Sequence, residues 1–218
     1  MSGITYDYME QYIRALIPDH SGILKELEDY AHDNAVPIIQ KEVANFLELM
    51  IKINKPKKIL ELGTAIGYSA ILMNLSSDGA SDITTIERDS NMIELAGSNI
   101  QKYGFDNKIH ILQGDCLEVL ESLEDEYDMI FMDAGKGHYN HFLPHCLRLL
   151  KKDGIIIADN VLFRGMVASK DLVVRRKITI VKRMRSYLET VSKDKDLITS
   201  IIPMGDGIAI TKRRNNDV

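Results

Sequence analysis

The residues best able to do chemistry lie in FMDAGKGHY, from Phe131 to Tyr139, and in ADN, from Ala158 to Asn160. Each stretch follows a short apolar run, DMIFM and GIIIA. Asp133 and the Asp159–Asn160 pair are therefore expected at the carboxyl ends of two strands, where open α/β sheets hold their ligands. Lys136 shares that crevice. Two carboxylates and an amide form a hard oxygen set that suits Mg²⁺, Mn²⁺ or Ca²⁺ better than zinc, which prefers nitrogen and sulfur. One acid after a strand is equally well explained as the N-cap of the next helix. Here the pattern repeats, with Glu61 in ILELG, Glu87 ending TTIE, Asp115 ending ILQGD, then Asp133 and Asp159. Five carboxylates along one sheet edge predict a polar site.

The first strand-to-helix turn reads LELGTAIGYSA, with glycines at Gly63 and Gly67. The G-x-G-x-x-G pyrophosphate fingerprint is not met, which argues against a nicotinamide dehydrogenase. An acid two residues ahead of a Gly-x-x-x-Gly turn suits a ligand without phosphates, because backbone can approach closely at the glycines while Glu61 offers acceptors. Glu87, 24 residues after Gly63, stands where an acid can grip the two ribose hydroxyls of an adenosine-type ligand.

These residues must be positioned by a parallel sheet. Helical spacing is found over Tyr6–Ile17, Ser21–Asn34 and Ile39–Ile53, punctuated by Pro18, Pro37 and Pro56. Strands are then expected at Lys58–Leu62, Ile83–Glu87, Ile109–Gln113, Tyr127–Met132 and Gly154–Ala158. They alternate with helices at Tyr68–Leu75, Ser90–Tyr103, Leu117–Leu123 and Tyr139–Leu150. A helix over Asp171–Val191 is followed by LITSII, PMGDG and IAITK, which read as an antiparallel hairpin closing one sheet edge. Arg213–Val218 reads as a loose tail. The fold class is thus α/β, Rossmann-like, with a mostly parallel seven-stranded sheet. With 218 residues, 45% of them hydrophobic, one domain is expected, comprising N-terminal helices over 1–55 and a core over 56–212. Cys116 and Cys146 read as free thiols. With no apolar leader or membrane-length apolar stretch, a soluble cytoplasmic protein with no membrane partner is expected.

The net charge of −5 argues against wholesale nucleic-acid binding, yet it is unevenly spread. From Arg164 to Arg185 there are eight basic residues against the single Asp171, making +7 and leaving −12 for the rest of the chain. In RRKITIVKRMRSYL the apolar Ile178, Val181, Met184 and Leu188 fall at helical spacing while the cations take the other faces. Arg164, Lys170, Arg175, Arg176 and Lys177 follow directly on the Asp159–Asn160 ligands, so the basic strip is expected to begin at the site's mouth. A polyanion lying there would be positioned through its phosphates. His138, His141 and His145 have helical spacing but no HExxH or Cys partner, and read as helix-surface residues. Asp206, in Gly-Asp-Gly, reads mainly as turn chemistry.

Taken together, ELGTAIGYSA, TIERD, GDC, FMDAGK, ADNVLF and PMGDG resemble the S-adenosylmethionine-dependent, divalent-metal-dependent O-methyltransferases of the catechol and caffeoyl-CoA type, over nearly the whole chain. The resemblance implies a cofactor site of Val36, Glu61, Gly63, Thr64, Gly67, Tyr68, Ser69, Glu87, Arg88, Asp115, Cys116 and Asp133. Glu61, Gly63 and the Gly67 turn would face the methionine part, Glu87 the ribose, and Asp115 with Cys116 the adenine edge. It implies Mg²⁺ or Mn²⁺ on Asp133, Asp159 and Asn160, and Lys136 and Asp133 as catalytic residues. It also implies a homodimer formed through the N-terminal helices and a sheet edge. Gly135 stands where the family often has an acid and Phe163 where it often has Trp, which weighs against a phenylpropanoid or catechol substrate. Among its members the chain looks most like the bacterial methyltransferases of 5-hydroxyuridine at the tRNA wobble position. The expected partner is therefore the anticodon region of tRNA, with a small catechol-like diol as the alternative substrate.

Overall fold

The computed structural model describes residues 4–214. The chain opens with three helices, α1 (Asp7–Leu16), α2 (Ile23–Asp33) and α3 (Lys41–Asn54). It then alternates: β1 (Lys58–Leu62), α4 (Tyr68–Ser76), β2 (Asp82–Glu87), α5 (Ser90–Lys102), β3 (Ile109–Gln113), α6 (Cys116–Ser122), β4 (Tyr127–Met132), α7 (Tyr139–Leu149) and β5 (Leu150–Ala158). After a long run of turns come α8 (Ile178–Lys193), β6 (Leu197–Ile202) and β7 (Ile208–Arg213). The seven strands lie in the order β3-β2-β1-β4-β5-β7-β6. The first five are parallel, and β7 runs antiparallel to both β5 and β6. This is the expected Rossmann-like sheet.

The strands β1 and β4 are buried almost throughout, because helices cover both faces of a parallel sheet and leave no face for polar alternation. One core cluster packs Leu60, Ile130, Met132 and Ile156 against α7 and α8; the other packs Ile59, Phe131 and Ile157 against α3 and α4. Alternate residues of each strand thus serve opposite layers. In α8, Val181, Met184, Tyr187, Leu188 and Val191 form the buried stripe that the helical spacing predicts, while Ile178 is left exposed. Helix α1 is different, because it buries no residue.

Most element ends shift by two residues or fewer, and three departures matter for the site and the sheet edge. The fifth strand starts at Leu150 rather than Gly154, with a register shift between Tyr127 and Met129 on β4 that absorbs the polar KKDG stretch. The helix expected from Asp171 begins only at Ile178, after a single 3₁₀ turn at Arg175–Lys177. Val174, in a β-branched pair with Val173, takes an extended conformation there (φ −80°, ψ 132°), which suits such side chains better than a helix. At the other end, Arg213 belongs to β7 and donates to the Leu150 carbonyl at 2.8 Å, and Arg214 donates to Leu197 at 2.8 Å. The expected loose tail is therefore corrected for these two residues, and 215–218 lie outside the described residues. Among the described residues no helix is long and apolar enough to cross a membrane, and both cysteines are free.

Candidate active site

The parallel register brings the predicted carboxylates to one edge. The Asp133 N–H donates to Leu62 on β1 and the Asp159 N–H to Met132 on β4, at 3.0 and 2.9 Å, so each acid emerges one residue past its strand. The β1 turn can lie against β4 because Gly63, at φ 103°, has no Cβ; one would sit 3.0 Å from the Ala134 Cβ and 3.3 Å from the Asp133 carbonyl.

On the β1–β2–β3 side the acids are engaged with backbone. Glu87 accepts the Ala65 N–H at 3.0 Å through one oxygen and the Arg88 and Asp89 N–H groups through the other, at 2.9 and 3.0 Å. Asp115 caps α6 by accepting the Leu117 N–H, and it lies 3.7 Å from the Arg88 guanidinium. Glu61 is wholly buried beneath the turn. The Thr85 hydroxyl donates to its Oε2 at 2.6 Å, so the Thr64 hydroxyl must donate in turn to Thr85. Its Oε1 has no hydrogen-bond partner among the described residues. Burial raises the Glu61 carboxyl to about 7, against the opposing pull of the Ser69 and Thr85 hydroxyls. Gly67 starts α4 in the left-handed region, and the Tyr68 hydroxyl turns away to Glu28 on α2 at 2.6 Å. Val36 is half-buried against the α2–α4 core. Cys116 opens α6, and burial pushes its thiol up to about 12.

On the β4–β5 side the acids crowd together. The Asn160 amide donates to Asp133 at 2.6 Å, and its backbone N–H to Asp159 at 2.6 Å. Burial pushes both carboxyls well above the usual range; the Lys136 ammonium pulls both down, while each site adds further negative neighbours, Glu61 and Asp206 beside Asp133 and Asp133 and Asp206 beside Asp159. Neither acid caps a helix. Tyr139, which starts α7, fixes the backbone beneath them by donating to the Met132 and Asp159 carbonyls, both at 3.0 Å. Two desolvated carboxylates beside an amide oxygen fit a hard divalent cation, which would relieve the repulsion that raises them. Among the described residues no set of three or more His, Cys, Asp or Glu gathers as a metal site; His138 and His141 are exposed and His145 is half-buried.

A cavity of about 730 Å³ opens over this side, and Lys136, Asn160, Asp206, Arg164, Arg176 and Lys177 line it. Phe163, Met166, Leu172 and Val174 add apolar surface, and the Lys177 ammonium lies 5.8 Å from the Phe163 ring centre. The basic strip divides. Lys170 and Arg175 are exposed, whereas Arg185 donates to the Met166 and Val167 carbonyls and Arg183 to Gly137, so those two hold loops. The N-terminal helical region adds Glu10, Arg14 and Gln40 to the lining. Arg14 grips Glu42 with two hydrogen bonds of 2.8 Å and Gln40 with one of 2.7 Å. The available signal was Glu42 itself, an acid 5% exposed on an otherwise apolar face of α3, which demands a cation.

The O-methyltransferase family profile matches residues 15–214. This chain belongs to the O-methyltransferase family. It is 30% identical to a caffeoyl-CoA O-methyltransferase of Medicago sativa across 95% of this chain and 89% of that one. To the enzyme of the same name from Populus kitakamiensis it is 29% identical, covering 94% and 93%. A Staphylococcus aureus structure provisionally described as a caffeoyl-CoA O-methyltransferase superposes with a TM-score of 0.88 at 35% identity, covering 95% of this chain and 100% of that one. The fold is also that of the SAH-bound Podospora anserina methyltransferase PaMTH1, with a TM-score of 0.87 at 24% identity, covering 96% and 95%.

Proposed function

We propose that this S-adenosylmethionine-dependent O-methyltransferase transfers its methyl group to the 5-oxygen of 5-hydroxyuridine at the tRNA wobble position, giving 5-methoxyuridine. The observation that supports the reading is the cavity wall of Arg164, Arg176 and Lys177, continued outward by exposed Lys170 and Arg175. Such a wall favours a base carried on a phosphate backbone, and an anticodon base is already unpaired enough to be splayed into a pocket.

Asp133, Asp159 and Asn160 would hold Mg²⁺ or Mn²⁺, which when bound stabilises the ionised hydroxyl of the substrate and orients it. The ring offers adjacent 5-hydroxyl and O4 oxygens, the same pair of neighbouring oxygens that a catechol presents. Lys136, which lines the cavity, would take up the hydroxyl proton as a neutral amine or steady the resulting oxyanion as an ammonium. The turn at Gly63 and Gly67 with Glu61, and Glu87 with Asp115, would hold the methionine, ribose and adenine parts of the donor, which keeps the transferred methyl in line with the nucleophile. Phe163 supplies a flat apolar surface beside the incoming ring.

The names of the curated relatives favour a second reading, a caffeoyl-CoA-like small-molecule O-methyltransferase. Purified protein given hydroxylated tRNA, the free nucleoside and a catechol separates the two, with methylated nucleosides measured by mass spectrometry. Turnover should be far greater on tRNA. Equal or better turnover on the catechol, with none on tRNA, would replace the proposal by the second reading.

A further inference from the structure

Gly205-Asp206-Gly207 closes the β6–β7 hairpin, yet its contacts reach well beyond that turn. The 160–164 loop, which begins at Asn160 and ends at Arg164, lies directly on it. The Val161 N–H donates to the Gly207 carbonyl at 2.9 Å and the Leu162 N–H to the Asp206 carbonyl at 3.0 Å. The Arg164 N–H goes to the Asp206 carboxylate itself. Gly207, at φ 91°, allows this approach, since a Cβ there would run into the Leu162 side chain.

The loop needs such support. Asn160, Phe163 and Arg164 all have left-handed backbones, with φ of 61°, 44° and 55°. Side chains other than glycine rarely adopt that conformation, and it persists only where the surroundings over-determine it. The two ends of the loop carry the two functions of the site: Asn160 reaches Asp133, and Arg164 stands exposed on the cavity wall. Asp206, 9% exposed, lines the same cavity.

We propose that Asp206 is a positioning residue, whose carboxylate clamps the 160–164 loop onto the hairpin and so aims Asn160 at the metal site and Arg164 at the cavity mouth in one step. It acts through the Arg164 N–H rather than by touching the substrate. The proposal rests on the metal-dependent reading of the site given above. Its mechanical half, the clamp, is independent of that reading.

The test uses the full chain in three forms: the native sequence, Asp206→Ala and Asp206→Asn, whose amide carbonyl still accepts the Arg164 N–H. Mn²⁺ affinity is measured by electron paramagnetic resonance of the free ion, without substrate, and backbone exchange of residues 161–164 by hydrogen–deuterium exchange. Outer partners of a metal ligand are worth about 10–100-fold in metal affinity. Asp206→Ala should weaken Mn²⁺ binding by that range and speed exchange of 161–164, and Asp206→Asn should recover most of both. Unchanged Mn²⁺ affinity and exchange in Asp206→Ala would overturn the proposal, as would an Asp206→Asn variant as impaired as Asp206→Ala, since charge and not the hydrogen bond would then matter. If Asp206→Ala fails to fold, Asp206→Asn decides alone: near-native affinity and exchange support the clamp, and loss of both overturns it. A native chain that binds no Mn²⁺ would sink the metal reading instead, leaving the exchange comparison to judge the clamp.

Discussion

The two halves of the carboxyl edge of the sheet treat their acids in opposite ways. Around β1, β2 and β3, Glu87 and Asp115 are already engaged by backbone N–H groups. That half is complete without a counter-ion, as suits a donor recognised through hydroxyl and amine groups. Around β4, β5 and the β6–β7 turn, Asp133, Asp159 and Asp206 are crowded and desolvated, and burial holds all three above the ordinary carboxylate range. On the proposed reading that half would be completed by positive charge, from a cation held by Asp133, Asp159 and Asn160 and from the arginine and lysine side chains that line the cavity. Preorganisation here means hydrogen bonds already made on one side and a charge deficit kept open on the other.

The sharpest way to break this contrast is to remove one acid from each half. Asp133→Ala is expected to lower kcat by about 10³-fold or more while keeping much of the donor affinity, which depends on Glu87 and the Gly63 turn. Excess chelator should abolish methylation, and Mg²⁺ or Mn²⁺ should restore it. Glu87→Ala is expected to do the reverse, weakening S-adenosylmethionine about 10–100-fold and sparing metal affinity. Isothermal titration with donor and with metal measures both arms. Full activity in excess chelator would show that the crowded half needs no cation.

A smaller effect is expected at the wall. Reversing charge at Arg175 and Arg176 should weaken tRNA binding and reduce the slope of log affinity against log salt by about two, because each lost phosphate contact removes roughly one released counterion. Donor affinity should hold. Normal tRNA methylation across salt concentrations in the double variant would reduce the strip to a solvated face.

The smallest effect concerns Glu61, the buried acid of the β1–β2–β3 half, whose hydrogen bond comes from the Thr85 hydroxyl rather than from backbone. Its carboxyl sits at about 7 against 4.5 unperturbed, so the folded state holds its proton where the unfolded chain has released it. Its contribution to stability therefore falls as pH rises from about 4.5 to 7 and stays lost above that. Glu61→Gln should flatten this loss in melting curves taken at about pH 5 and pH 8, in Mg²⁺-saturated protein so that the Asp133–Asp159 pair stays ionised. An unchanged pH slope would place the titrating group elsewhere.

What could be read from the sequence followed periodicity. The limits of β1, β3, β4 and β6 coincide with the expected ones, and in β1 and β4 the reason is burial of both faces, which leaves a nearly unbroken apolar run. The juxtaposition of Asp133, Asp159 and Asn160 followed from strand ends alone. Two things were hidden. The 160–165 loop is shaped by left-handed residues and long-range hydrogen bonds to the hairpin, neither of which leaves a local pattern, and the helix expected from Asp171 is delayed by the extended Val174. The contribution of α1 to the cavity depends on Arg14 meeting Glu42, 28 positions away, and α1, with its apolar residues outward, gives no sign in the sequence of which side faces the site.

Strand β7 lies between β5 and β6 although it follows both in the chain. During synthesis β5 therefore waits with an unpaired edge until the residues after position 207 leave the ribosome. Until then Val161 and Leu162 also lack the carbonyls that receive their N–H groups, and the loop beginning at Asn160 has nothing to lie on. Donor-side turns can form on the nascent chain from β1 to β3, whereas the acceptor side cannot. Completion of the acceptor side thus waits for the last strand.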